Sequence, residues 1–215
     1  MRINHAQILS KYFDLTGRQY ETFVKLGELF RPLNDGINLI SRKDIDHFYE
    51  RHVLHSLAIA KFIQFLPGSD ILDVGTGGGF PGLPLAIYFP EVRFHLVDSI
   101  DKKIRAIRYL TDALELKNVT TERIRVEKHH GKYDFVVSRA VARMDKFYAW
   151  TRKNISEKNK HKMPNGILYL KGGDLAEELK NFPRTQVIPL SGYFDEEFFK
   201  TKKLVYLPET KNTKR

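Results

Sequence analysis

Apolar positions recur at helical spacing through the first third of the chain, then give way to short continuous runs from about residue 70 onward. Ile8, Tyr12 and Leu15 are spaced for one helix face. Thr16 and Gln19 form a capping-box pattern ahead of Tyr20, Phe23, Val24, Gly27 and Phe30. Pro32 and Asp35-Gly36 predict an end or a bend in that helix. Asp44 is placed to cap a further helical stretch through Phe48, His52, Leu57 and Ile63 to the break at Pro67-Gly68. Residues 71–74 are a short apolar run ending in glycines, the pattern of a buried parallel strand. Residues 83–89 read as a helix, 93–98 as a strand, and 101–116 as a helix with Ile104, Ile107, Leu110 and Leu114 on one face. Further strands are predicted at 119–126, 133–138, 166–171, 185–190 and 203–207. Strands alternating with helices imply βαβ units and a mainly parallel, doubly wound sheet. The chain divides into a helical extension (1–66), an α/β domain (67–210) and a frayed tail (211–215), expected to form one compact unit.

Composition narrows the class. The 215 residues are 42% hydrophobic and 29% charged, which excludes a largely disordered chain. There is no cysteine, so a disulfide framework, a thiolate metal site and a cysteine nucleophile are all excluded, and a reducing compartment is expected. No signal-like or membrane-spanning apolar stretch is present, so the expected location is the cytoplasm. Thirty-six Lys plus Arg against 26 Asp plus Glu leave a net charge of +10. Such an excess attracts polyanions, nucleic acid being the commonest, although many basic proteins bind nothing in particular.

The sharpest local signal is Asp73-Val74-Gly75-Thr76-Gly77-Gly78-Gly79-Phe80-Pro81-Gly82. Glycines at 75, 77 and 79 follow a strand and precede a helix, allowing a tight turn and close approach of a ligand to the backbone. Asp98 closes the next strand, where a carboxylate can accept hydrogen bonds from both hydroxyls of a ribose. Together they predict a site for an adenosine-containing cofactor. Gly77, Gly79 and Gly82 can also be read in the dinucleotide spacing, which keeps a nucleotide-dependent oxidoreductase open. Asp73 instead favours a ligand with an ammonium group and no phosphate, as in S-adenosylmethionine.

These residues, with Leu96-Val97-Asp98-Ser99, Asn38-Leu39-Ile40-Ser41, Arg51-His52 with Ser56, Ser138-Arg139-Ala140-Val141-Ala142 and Leu170-Lys171-Gly172, resemble the small-subunit rRNA guanine-N7 methyltransferase family, RsmG (GidB). The matches run in the family's order across roughly residues 35–173. Two positions depart from it: Gly78 stands where the family has Pro or Ala, and His55 where it has Asp. The resemblance implies a class I, Rossmann-like methyltransferase of the bacterial cytoplasm. It implies transfer from S-adenosylmethionine, leaving S-adenosylhomocysteine, to N7 of guanine 527 in 16S rRNA, in the 530 loop near the decoding centre. The implied partner is the 30S subunit or its rRNA; a monomer and no membrane partner are expected.

Transfer to guanine N7 asks little of the protein. N7 carries an in-plane lone pair and no proton, so no general base is needed, and what remains is positioning and exclusion of water. Arg139, after a strand at the carboxyl edge of the sheet, is the first choice for an orienting residue, since a cation beside N7 would oppose a cationic product. It is also expected to touch the cofactor, with Asp73, Gly75, Gly77, Gly79, Phe80, Asp98 and, on the adenine side, Val126 and Glu127. Phe80 could equally staple the loop to the core. Lys171, Arg51, His52 and Ser41 are the candidates on the RNA side, although a helical histidine is as often structural. The eight histidines show no metal-ligand spacing, and no metal is expected. A non-catalytic RNA-binding scaffold is the third reading, which the intact glycine loop and Asp98 oppose.

Overall fold

The computed structural model describes residues 6–209 of the chain, so residues 1–5 and 210–215, which include the 211–215 tail, lie outside the described residues. Seven strands are described: β1 (Asp70–Val74), β2 (Arg93–Asp98), β3 (Val119–Arg123), β4 (Phe135–Arg139), β5 (Gly166–Gly172), β6 (Gln186–Pro189) and β7 (Lys202–Pro208). They form one sheet in the order β3-β2-β1-β4-β5-β7-β6. The first five are parallel, and β7 inserts antiparallel between β5 and β6. This is the doubly wound, mainly parallel sheet that the alternation of strands and helices predicts.

The strands read as continuous apolar runs because both faces are covered. On one face Ile71, Phe94, Leu96, Phe135, Val137, Leu168 and Leu170 meet α2 (Gly17–Ile37), α3 (His55–Phe62), α4 (Gly82–Tyr88) and α5 (Asp101–Ala113). On the other, Leu72, Val74, Val97, Val136 and Tyr169 meet residues of α6 (Met144–Thr151) and α7 (Ala176–Leu179). Leu9, Phe23, Phe30 and Leu57 share one apolar cluster with Leu83, Phe94 and Ile107. The N-terminal helices are thus the cover of a sheet face, and the core runs unbroken across residue 66. No helix among the described residues is long and apolar enough to cross a membrane.

Several local expectations shift. The first helix, α1, is only Gln7–Ser10, leaving Tyr12 and Leu15 outside it; the Tyr12 hydroxyl instead donates to Glu196 at 2.8 Å. The Thr16–Gln19 capping box forms as expected, and α2 then runs through Pro32 to Asn38, which closes it at φ 54°. Buried Phe30 and Asn34 on either side of Pro32 hold the helix together across the missing donor. Asp44 caps nothing; it lies in a 3-10 segment, Arg42–His47, and takes Arg51 at 2.7 Å. The third strand stops at Arg123, so Val126 and Glu127 belong to a separate 3-10 turn, Val126–Lys128.

Candidate active site

The sheet order places β1 beside β4, while the chain continues from β1 toward β2 and from β4 toward β5. Diverging connections open a crevice at the carboxyl ends of those two strands, where ligands of such sheets bind. The glycine loop leaves β1 at this point, Asp98 ends β2, and Arg139 ends β4.

Three glycines of the loop have positive φ: Gly75 (66°), Gly77 (62°) and Gly79 (92°). Their surroundings differ. A Cβ on Gly75 would fall 2.5 Å from Cγ2 of Val141, and one on Gly79 would fall 2.3 Å from Cδ1 of Leu83. These two are held to glycine by the protein's own packing. Only Gly77 faces open space, a Cβ there meeting nothing nearer than the Gly75 carbonyl at 3.9 Å. Asp98 borders that space. Its Oδ2 accepts from the Gly77 amide at 3.1 Å and its Oδ1 from the Ile100 amide at 2.9 Å, which fixes the carboxylate and leaves acceptor capacity on each oxygen.

Asp73 lies beneath the loop and is wholly buried. Its Oδ2 accepts from the Thr76 hydroxyl at 2.6 Å and the Gly82 amide at 2.8 Å, tying the two ends of the loop together. Its Oδ1 is buried without a partner, and burial pushes its pKa up to about 7. In the fold this carboxylate holds the loop that covers it.

Arg139 lies over the Phe80 ring, 5.0 Å from its centre. Its guanidinium donates to the Arg51 carbonyl at 3.2 Å and to Nδ1 of His52 at 2.9 Å. A guanidinium only donates, so Nδ1 of His52 is an acceptor and the ring's proton sits on Nε2. Burial first, and Arg139 second, press the His52 pKa down to about 3. Burial also lowers Arg139, to about 10, still cationic at neutral pH. Phe80 is buried among Phe30, Phe48 and His52, so the stapling alternative describes it. Arg51 and His52 occupy a π-helical stretch, Tyr49–Leu54, continuous with α3; such widened turns recur at functional sites. Beside Arg139 lies a cavity of about 240 Å³, lined among others by Arg51, His52, His55, Lys171, Phe198 and Lys202.

Comparison with known proteins agrees with this layout. Residues 19–203 match the family model described as rRNA small subunit methyltransferase G. The chain is 56% identical to the ribosomal RNA small subunit methyltransferase G of Flavobacterium johnsoniae, over 94% of this chain and 97% of that one. It is 54% identical to that of Bacteroides thetaiotaomicron, over 93% and 98%. The chain belongs to this family. It is an S-adenosylmethionine-dependent rRNA methyltransferase. Among solved structures, a SAM-dependent methyltransferase from Aquifex aeolicus superposes with a TM-score of 0.56 at 16% identity, covering 78% of this chain and 97% of that one. A precorrin-6y C5,15-methyltransferase from Geobacter metallireducens gives 0.53 at 12% identity, over 80% and 92%. Both show the fold alone.

In this member of the rRNA methyltransferase G family, the residues suggested for the RNA side separate into two groups. Arg51, His52 and Arg139 come together. Lys171 lines the same cavity but is engaged: its Nζ lies 2.6 Å from Glu178 and donates to the Ala142 carbonyl at 2.8 Å. Ser41 is exposed, and its carbonyl accepts from the Asp44 amide at 2.9 Å, opening the 3-10 segment. Val126 is buried and Glu127 exposed, on the turn after β3. Sequence reasoning missed Val141 over Gly75, His55 in the cavity wall, and Phe198 and Lys202 from the far end of the chain. It also missed the convergence of His95, Glu122 and His129 at the sheet edge. None of these has a local spacing that would reveal it.

Proposed function

We propose that the methyl acceptor is N7 of a guanine in 16S rRNA, guanine 527 in the family's scheme, and that the cofactor lies in the cradle bounded by Gly77 and Asp98. The observation that carries this reading is that cradle: one open glycine at positive φ, beside a carboxylate fixed by backbone amides, at the switch point of the sheet. When bound, S-adenosylmethionine supplies a methyl group already activated on a sulfonium. The residues present fit it. Asp98 can accept from ribose hydroxyls. Ile100 and Val141, with 42% and 41% of their surface exposed, offer apolar contact on either side of the loop.

The chain's own residues then position and exclude. Asp73 holds the loop shut from below. Phe80 carries Arg139, and Arg139 fixes the π-helical stretch through Arg51 and His52. Guanine N7 needs no proton removed, which matches a site whose buried histidines are held neutral and whose Arg139 guanidinium is tied to Arg51 and His52. The cavity beside Arg139, rimmed by Arg51, Lys171 and Lys202, faces the polyanion.

Transfer of labelled methyl to 30S subunits lacking the mark, with naked 16S rRNA and tRNA alongside, tests the proposal. Label recovered as 7-methylguanosine from 16S rRNA is expected. Label in another nucleoside, or in tRNA alone, would sink the N7 assignment while leaving family membership intact.

A further inference from the structure

His95 stands in the middle of β2, in register with Thr120 on the edge strand β3, and Glu122 lies two residues further along that strand. The chain then leaves β3, makes the Val126–Lys128 turn, and returns with His129 and Tyr133 against the same patch. His95 Nε2 and His129 Nδ1 each lie 3.1 Å from Oε2 of Glu122, and the three atoms all fall within 4.8 Å of one another. The two rings stack, with centres 5.1 Å apart and planes 24° from parallel.

Each ring's other nitrogen is also held. His95 Nδ1 is 2.7 Å from the Thr120 hydroxyl, and His129 Nε2 is 2.8 Å from the Tyr133 hydroxyl. Both hydroxyls can accept from a ring N–H, and that of Thr120 has the Phe94 carbonyl at 3.4 Å to receive its own proton. With the ring protons on the outer nitrogens, both inner nitrogens aim lone pairs at a carboxylate oxygen, which itself carries only lone pairs. A cation between them relieves that repulsion. Outer-nitrogen hydrogen bonds of this kind are what orients histidines that ligate metals.

We propose that His95 Nε2, Glu122 Oε2 and His129 Nδ1 bind a divalent cation of the zinc class, with a fourth position open to water. Bonds of about 2.0–2.1 Å in a tetrahedral site place ligand atoms about 3.3 Å apart, close to two of the three separations here. Imidazole and carboxylate suit zinc, cobalt and nickel, and the chain has no thiolate to compete. The ion fastens β2 and β3 to the segment after them, closing the stretch that contains the Val126 turn. This site is independent of the proposed acceptor atom.

Full-length protein stripped of metal, titrated with Zn²⁺ by calorimetry and with Co²⁺ by visible absorption, tests the site. One equivalent should bind, the Co²⁺ complex should show the intense bands of four-coordination, and Zn²⁺ should raise the melting temperature. Glu122→Gln and His129→Ala should each abolish saturable binding. Tyr133→Phe should weaken it by about 10–100-fold, and His130→Ala, altering an exposed neighbour, should leave it unchanged. Absence of saturable binding in the unaltered chain would overturn the proposal and leave a hydrogen-bonded network of neutral histidines. So would equal binding by Glu122→Gln. Should His129→Ala not fold, the Co²⁺ spectrum of the unaltered chain and the Tyr133→Phe affinity decide.

Discussion

Gly77 is the position where a single side chain separates ligand binding from packing. A Cβ there meets open space, but φ is 62°, so an L-residue costs about 1–2 kcal/mol of backbone strain. Gly77→Val should therefore lower stability by roughly that amount and abolish S-adenosylmethionine binding, read by calorimetry alongside thermal unfolding. Binding at full affinity would remove Gly77 from the cradle. His52 and Asp73 act in opposite senses with pH. The His52 pKa is depressed to about 3 in the fold against about 6.5 unfolded. Its contribution is present above pH 6.5 and lost as pH falls toward 3, on the order of 5 kcal/mol in all. Asp73 is raised to about 7; its contribution is present below pH 3.8 and lost as pH rises through 7. Urea unfolding at pH 4, 5.5 and 7 should show a shallower acid-side loss in His52→Gln than in the unaltered chain. Asp73→Asn should gain relative to the unaltered chain as pH rises. Parallel profiles would refute the buried-charge assignment.

At the scale of elements, α2 is the longest helix described and begins at a reciprocal cap: the Gln19 amide donates to the Thr16 hydroxyl at 3.2 Å, and the Thr16 amide to the Gln19 side chain at 2.9 Å. Just past its far end, the buried side-chain oxygen of Asn34 accepts from the Ile40 amide at 2.8 Å. Thr16→Ala should cost about 1 kcal/mol. Asn34→Leu should cost more, about 1–3 kcal/mol, because it strands a buried amide. Both are measured by chemical denaturation; an Asn34→Leu protein as stable as the unaltered chain would show that water reaches Ile40. The segment after Asn34 leads into the π-helical stretch that meets Arg139, so α2's closure bears on the site as well as on stability.

For the molecule as a whole, the helical extension and the sheet share one core. A fragment of residues 67–215 should consequently expose the sheet face that α2 and α3 cover and should not fold cooperatively, as circular dichroism and thermal unfolding would show. A sharp transition in that fragment would make the extension a separate unit. The +10 charge implies that binding to 30S subunits or 16S rRNA falls steeply with salt, the slope of log affinity against log salt counting the phosphates neutralised. A flat response would assign recognition to shape and hydrogen bonding.

The alternation of apolar runs with amphipathic helices determined the βαβ order, because burial on both faces leaves a one-dimensional imprint. Glycines placed between a strand and a helix, with an acid at the next strand's end, likewise announced a cofactor loop, since backbone conformation restricts residue type locally. The Thr16–Gln19 cap was legible for the same reason. Which glycine faces open space was not, because the difference between Gly75 and Gly77 is Val141, delivered by the loop after another strand. Nor was the inward burial of Asp73, the neutral state of His52, or the meeting of His95 with Glu122, which are 27 residues apart. Those depend on through-space contacts and desolvation, which arise only when distant segments pack and which no local spacing encodes.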